Sequence, residues 1–200
     1  MKQVLIETAL FKPQQLSFTE GLKSKRGFPI VEGILATCEV KNGNGRYYSR
    51  ELWEREMKKY KELIDQKRAV GELDHPDDSV INLKNSSHLV TKMWWDGDSV
   101  MGKIEVLDTP SGKILKELVK SGIKLGISSR GLGSVKQKKE GTIVEDDFQL
   151  ICFDMVSEPS TPGAYLSPNN KPDIGTGIDV YLKESKSNKI DDLIDSILRG

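Results

Sequence analysis

Apolar and polar positions change period along this chain, and each change marks an element. The short run KQVLIE (2–7) predicts a strand, and FKPQQLSFTEGLKSKRGFP (11–29) reads as a loop-rich lead-in. VEGILATCEV (31–40) is apolar and β-rich, and NGNGR (42–46) supplies turn residues. From Ser49, a good N-cap, a helix is expected to about Gln66, with Glu51 and Glu54 at its positive end. Trp53, Met57, Tyr60 and Ile64 fall at helical spacing and form the face to be buried. RAVGEL (68–73) predicts a short strand running into Asp74-His75-Pro76. His88–Trp95 and Val100–Leu107 predict two strands joined by a turn at Asp96-Gly97-Asp98. Thr109-Pro110 opens a second helix, with Ile114, Leu115, Leu118 and Val119 as its buried face and its end near Gly122. A polar tip, KQKKEG (136–141), leads to a last strand pair ending in FQLICFDMV (148–156). Strands outnumber helices and are joined mostly by hairpins, so the fold class is α+β with an antiparallel core.

From 157 to 177 the chain turns to Pro, Gly, Ser and Asn, the chemistry of a linker. NKIDDLIDSILRG (188–200) places Ile190, Leu193, Ile194, Ile197 and Leu198 on one face. The expected organisation is a domain over 1–168, a flexible linker over 169–187 and an amphipathic helix over 188–200.

With 200 residues the chain is long enough for one domain with a proper core plus appendages. Lys+Arg and Asp+Glu number 30 each, and this balance argues against a nucleic-acid-binding module. Cys38 and Cys152 are too few for a disulfide framework and read as reduced core residues of a cytosolic protein. No run approaches the ~18 apolar residues of a membrane span, and MKQVLIETALF lacks the features of a secretory signal.

The candidate chemistry centres on one of only two histidines, His75 in GELDHPDD (71–78), and on the serines of GISSRGLGS (126–134). A serine nucleophile needs a nearby base, and the base needs a group that fixes its tautomer. Glycines at 126, 131 and 133 around Ser128-Ser129-Arg130 predict a bend that exposes backbone N–H donors, as an oxyanion requires. Such a bend is more often a plain turn or a phosphate-binding nest, and it is neither a Walker loop nor a GxSxG elbow. His75 among Asp74, Asp77 and Asp78 also reads as a surface histidine in an acidic turn. No HxH or HExxH spacing supports a metal, and His88 reads as a strand-end residue rather than a ligand.

GELDHP, MWWDGDSVMGKIEVLDTPSGK, GISSRGLGS and DMVSEPSTPGAYLSP, in that order, resemble the prohead core protein proteases of T-even-like tailed phages. More distantly, the order of His, Ser and a third residue is similar to herpesvirus assemblin. The resemblance covers residues 2–168 and implies an antiparallel β-barrel-like core flanked by helices. It implies a serine endopeptidase with His75 as general base, Ser128 as nucleophile and Asp154 as third member. Ser129 competes for the role of nucleophile, and Asp147 and Asp74 are fallbacks for Asp154. Assemblin's arginines after its third-residue strand have no counterpart between Asp154 and Arg199, so Arg130 and the N–H groups of Ser129, Arg130 and Gly131 are the expected oxyanion donors.

The same resemblance implies no metal or organic cofactor. It implies phage scaffold core and capsid-associated proteins as substrates and partners, with self-association in the prohead and no nucleic-acid or membrane partner. The place of action would be the immature phage head in the host cytoplasm. Relatives cleave after Glu in Leu/Ile-x-Glu sites, and Leu182-Lys183-Glu184, followed by Ser185, fits in the polar tether. Self-processing between Glu184 and Ser185 would shed the terminal helix, a plausible tether to scaffold. Ile30-Val31-Glu32-Gly33 fits better still but leads into a strand expected to be buried. The rival reading is a non-catalytic structural protein of the prohead core.

Overall fold

A computed structural model describes residues 2–8, 16–23, 27–74, 76, 79–121, 123, 125–139, 141–157 and 166–167. The chain divides into two units, residues 1–170 and 171–200, and every described residue belongs to the first. The expected linker and terminal helix therefore lie outside the described residues.

The elements follow the hydrophobic pattern closely. In chain order they are β1 (Gln3–Thr8), β2 (Leu16–Lys23), β3 (Pro29–Thr37), β4 (Arg46–Tyr47), α1 (Arg50–Asp65) and β5 (Val70–Glu72). A single 3-10 turn (Leu83–Asn85) precedes β6 (Ser86–Asp96), β7 (Ser99–Val106) and α2 (Pro110–Lys120). The chain continues through β8 (Gly126–Gly133), β9 (Val135–Lys138), β10 (Gly141–Val144), β11 (Gln149–Val156) and β12 (Leu166–Ser167). Both helices start at the expected caps: the Ser49 side chain accepts from Leu52 N–H, and Thr109 Oγ1 accepts from Gly112 N–H. Gly97, at φ +57°, makes the tight turn between β6 and β7, a conformation that costs a residue without a Cβ little.

The strands form three sheets, ordered β1-β8-β11, β4-β10-β9 and β12-β2-β3-β7-β6-β5. Pairing is antiparallel except where β10 meets β4 and β12 meets β2. The α+β class is as expected, but the barrel-like core is not. Just past edge strand β5, Leu73 makes an isolated parallel bridge to Met155 of β11 instead of a full ladder, so the described sheets stay open.

Three further expectations are corrected. The lead-in over 11–29 contains a strand, β2, whose backbone pairs with β3. The serine motif is not a bend: Gly126–Gly133 is a continuous strand in the middle of its sheet. On α2, Leu115 and Val119 are buried, but Ile114 is exposed because only the narrower stripe faces the sheet.

Helix α1 buries Leu52, Trp53, Glu56 and Tyr60. Trp53 stacks on Phe153 with ring centroids 6.3 Å apart, and Tyr60 meets the same ring edge-on at 5.6 Å. Buried Glu56 accepts from Leu150 N–H at 2.9 Å, and Arg55 reaches the Phe148 carbonyl at 2.8 Å. Helix and strand are thus fixed by both apolar and polar contacts. Cys38 and Cys152 are buried, free thiols. Among the described residues no helix is long and apolar enough to cross a membrane.

Candidate active site

Strand alternation sorts the GISSRG residues before any contact is considered. Ser128 and Arg130, two residues apart, share one face of β8, and Ser129 takes the other. On β11 the same rule pairs Cys152 with Asp154 and sends Phe153 to the opposite face, against α1. The antiparallel register then sets Ser128 opposite Asp154 and Arg130 opposite Cys152. Residues directly opposite have Cα atoms about 4.5–5.5 Å apart, so the serine and the carboxylate are immediate neighbours.

That register depends on a β-bulge between Leu150 and Cys152. Gly131 faces Leu150, but Arg130 faces Cys152, so Ile151 is the extra residue. With regular pairing, Ser128 would face Phe153 and the carboxylate would sit on the wrong side of the sheet. The bulge is the local device that aims Asp154 at the serine face.

Ser128, Arg130, Cys152, Asp154 and Glu72 are all fully buried. Arg130 lies between two carboxylates, with Nη2 donating to Glu72 Oε1 at 2.7 Å and Nε 2.9 Å from Asp154 Oδ2. The planar guanidinium suits this two-sided grip, which a lysine ammonium would not reproduce. Asp154 Oδ1 also accepts from the Glu72 N–H at 3.0 Å and from the Cys152 thiol at 3.3 Å. Burial pushes the Asp154 pKa above its ordinary value, against the opposing pull of the Glu72 N–H and Arg130. Burial likewise pushes the Cys152 thiol up, so it stays protonated and able to donate.

The strand that leads to His75 ends at this cluster. Gly71 lies so close to β11 and β6 that an added Cβ would stand 2.0 Å from the Phe153 carbonyl and 2.3 Å from His88 Nε2. Beyond Glu72, Asp74 adopts φ +63° while its N–H donates to the Met155 carbonyl at 2.7 Å. Aspartate tolerates that left-handed conformation better than most residues. His75 itself lies outside the described residues, as do Glu184 and Ser185.

The other candidates fall in different surroundings. The Asp147 carboxylate accepts from Ser134 N–H at 2.7 Å and Ser134 Oγ at 2.9 Å, and the backbone N–H holds its pKa below the ordinary value. Asp74 is exposed. His88, expected as a strand-end residue, is the third residue of β6 and fully buried. Its Nε2 lies 2.9 Å from the Phe153 carbonyl, which only accepts, so Nε2 carries the proton and Nδ1 accepts from Ser87 Oγ at 2.8 Å. Burial draws its pKa down to about 4.

Ser128 Oγ is buried and makes no hydrogen bond among the described residues. Strand β8 pairs with β1 on one side and β11 on the other through residues 128–131, so the N–H groups of Ser129, Arg130 and Gly131 are directed into ladders. Gly131 makes room for the Phe148 ring, which an added Cβ would approach to 2.4 Å. This packing role is what the glycine spacing reflects here. Sequence reasoning missed Glu72 and the thiol of Cys152. Their signal was available only as two i, i+2 pairs, Ser128/Arg130 and Cys152/Asp154, whose partnership needs the register to be seen.

The profile described as "Prohead core protein serine protease" matches residues 10–174. The prohead core protein protease of Enterobacteria phage T4 is 36% identical over 143 residues, covering 69% of this chain and 68% of that protein. The structure of the bacteriophage T4 capsid assembly protease superposes with a TM-score of 0.67 at 30% identity, covering 78% of this chain and 98% of that one. Matched by that family over most of its length and 36% identical to a curated member, the chain belongs to the prohead core protein serine protease family.

Proposed function

We propose that this capsid-maturation protease is a serine endopeptidase with Ser128 as nucleophile, His75 as general base and Asp154 as the acid that orients the base. One observation carries the assignment. Ser128 and Asp154 are opposite each other on β8 and β11, and β5, which ends three residues ahead of His75 in sequence, meets the same carboxylate through the Glu72 N–H. Ser129, on the other face of β8, lies away from this pair.

In the reaction, Ser128 Oγ bonds to the scissile carbonyl carbon as His75 takes its proton. The tetrahedral intermediate collapses as the peptide C–N bond breaks and His75 gives that proton to the leaving amine. Water, deprotonated by the same histidine, then releases the acyl group and regenerates the serine. General acid–base transfer of this kind contributes ~10²–10⁴-fold. Asp154 would hold the imidazole in the required tautomer and stabilise the imidazolium.

The full burial of Ser128 fits a latent precursor in which the site must open before a polypeptide reaches it. Oxyanion donation by Arg130, Ser129 or Gly131 belongs to that opened state, since their donors here serve carboxylates and ladders. The substrates are scaffold core and capsid-associated proteins of the immature phage head, cut after Glu in Leu/Ile-x-Glu sites, and Glu184–Ser185 is the self-processing bond.

The test is intact-mass analysis of the native chain beside Ser128→Ala, each incubated alone and with an Ile-x-Glu-Ala peptide. Loss of cleavage on the order of 10⁶-fold in the variant is expected. Equal fragmentation by both chains would overturn Ser128 as nucleophile. Silence from both, with normal prohead assembly by the variant, would favour a non-catalytic core protein.

A further inference from the structure

We infer that Glu56 of α1 is a positioning residue for the reaction: it seats the β-bulge at Ile151, so that Cys152 and not Ile151 stands beside Arg130 and Asp154. The inference rests on the proposed roles of Ser128 and Asp154 and adds a helix residue that contacts neither.

Packing against α1 requires a bulge somewhere in this stretch. Phe148 and Phe153 are five residues apart, an odd spacing that in a regular strand sends two side chains to opposite faces. Both rings nevertheless meet Trp53, with centroids 6.1 and 6.3 Å away. An added Cβ at Gly131 or Gly133 would run into Phe148, which sets that ring on the face of β8 that carries Ser129. Phe153 is directly opposite Ser129 and shares that face. One extra residue between the two rings restores the phase. The rings alone do not say which residue it is. Were the bulge one step later, Ile151 would take the place opposite Arg130. Asp154 Oδ1 would then lose the Cys152 thiol as a donor, and the bend of the bulge would lie one residue nearer to Asp154.

Glu56 makes the choice. Its buried Oε2 accepts from Leu150 N–H at 2.9 Å, immediately ahead of the extra residue. Strand β11 lies at the edge of its sheet, so a helix carboxylate supplies an acceptor where no further strand does. Its Oε1 meets Arg55 Nε at 2.8 Å and Lys59 Nζ at 2.9 Å. Arg55 in turn donates to the Asp146 and Phe148 carbonyls at 2.6 and 2.8 Å. The helix thus grips the backbone at 146, 148 and 150 and releases it at Ile151.

A counter-ion for Arg55 and Lys59 would need only the charge of Glu56, whereas seating the bulge needs an acceptor at the right reach. Glutamine keeps the reach and drops the charge, and aspartate keeps the charge but draws the acceptor back by one methylene. The experiment measures kcat and KM of the full chain on an Ile-x-Glu-Ala peptide, with amide exchange at Leu150 and the cross-strand NOEs of Arg130 by NMR. Glu56→Asp should lower kcat by about 10²-fold, the cost of misplacing a catalytic group by about 1 Å, with KM within about twofold. Its Leu150 amide should exchange about tenfold faster or more, and Arg130 should show NOEs to Ile151 in place of Cys152. Glu56→Gln should stay within about fivefold of the native kcat and keep Leu150 protected. Deleting Ile151 leaves the rings in phase with no extra residue to seat. In that background Glu56→Asp should cost about tenfold less than it does in the native chain.

Native kcat in Glu56→Asp, Glu56→Gln as impaired as Glu56→Asp, or a lower kcat with Leu150 protection and the Arg130–Cys152 NOEs unchanged would overturn the inference. A Glu56→Asp defect of the same size after deletion of Ile151 would do so too. If the deletion chain is itself inactive, the NMR register decides alone. If Glu56→Asp does not fold, Glu56→Gln decides: native kcat with Leu150 protected supports the seat, and loss of either overturns it. Ser128→Ala and Asp154→Asn run alongside with Glu56 intact. Cleavage by either overturns the catalytic assignment, and their inactivity beside a fully active Glu56→Asp overturns the role of Glu56 alone.

Discussion

At the scale of single residues, Asp154 has two duties that substitution can separate. As the proposed orienting acid it would accept from the imidazole, and as counter-ion it shares Arg130 with Glu72. Asp154→Asn removes the charge but leaves Glu72 to neutralise the guanidinium, so the fold should survive. Activity should fall on the order of 10⁴-fold, because an amide presents the wrong donor–acceptor pattern to the base. Circular dichroism and peptide cleavage on one sample check this, and an active Asp154→Asn chain would remove Asp154 from the catalytic set. Arg130→Leu is expected to be worse for the fold, since it leaves two buried carboxylates facing each other. Gly71 gives a contrasting case. It has an ordinary β-strand role, yet an added methyl would stand 2.0 Å from a backbone carbonyl that cannot retreat without moving β11. Gly71→Ala should lower stability by about 1–3 kcal/mol in urea unfolding, the range for overpacked interiors.

At the scale of elements, His88 ties β6 to β11 with a neutral ring, and the sign of its pH effect follows from that. The unfolded ring titrates near 6.5, and the buried ring near 4. Above pH 6.5 its contribution to stability is fully present. As pH falls through that value the unfolded chain takes up a proton that the native ring refuses, and stability is lost until about pH 4. At 1.36 kcal/mol per unit the loss approaches about 3 kcal/mol. His88→Gln should flatten the fall in urea midpoint between pH 7 and 4.5 relative to the native chain. An unchanged slope would show that other groups carry it. Elements of this kind were legible to different degrees. Ser49 and Thr109 announce their helices because a side-chain oxygen ahead of an apolar stripe has a direct local use. Strand β2 was hidden because Gly21, Gly27 and Pro29 punctuate an alternating Leu16–Leu22 stretch with turn chemistry. The bulge at Ile151 left no local mark at all, yet it decides whether Asp154 or Phe153 faces Ser128. The identities of the serine and acid could therefore be read only through family resemblance, while their apposition required the register.

At the scale of the whole molecule, two of the chain's Leu/Ile-x-Glu sequences, those at Glu32 and Glu184, make contrasting predictions. Glu32 lies in β3, flanked by Ser17 of β2 and Lys103 of β7, and its carboxylate is 2.5 Å from Lys103 Nζ. A protease takes its substrate as an extended strand with free edges, and this one has both edges already paired. Opening it would mean breaking the six-stranded sheet, a cost comparable to global unfolding. Glu184 follows the linker-like stretch of 157–177 and lies in a polar run, Lys183 to Lys189, in the sequence. Incubating the native chain should therefore yield one mass loss, that of Ser185–Gly200, and no fragment ending at Glu32. Glu184→Ala should abolish this loss without lowering cleavage of an added Ile-x-Glu-Ala peptide by the uncut chain. The protected site can then be unmasked. A Ser128→Ala chain held in urea below the denaturing range for the active enzyme, but above its own after Gly71→Ala weakens it, should be cut in trans at both Glu184 and Glu32. A Glu32 fragment from the folded native chain would show that sheet pairing does not guard the site, and its absence under unfolding conditions would show that the pattern at Ile30–Gly33 is not recognised.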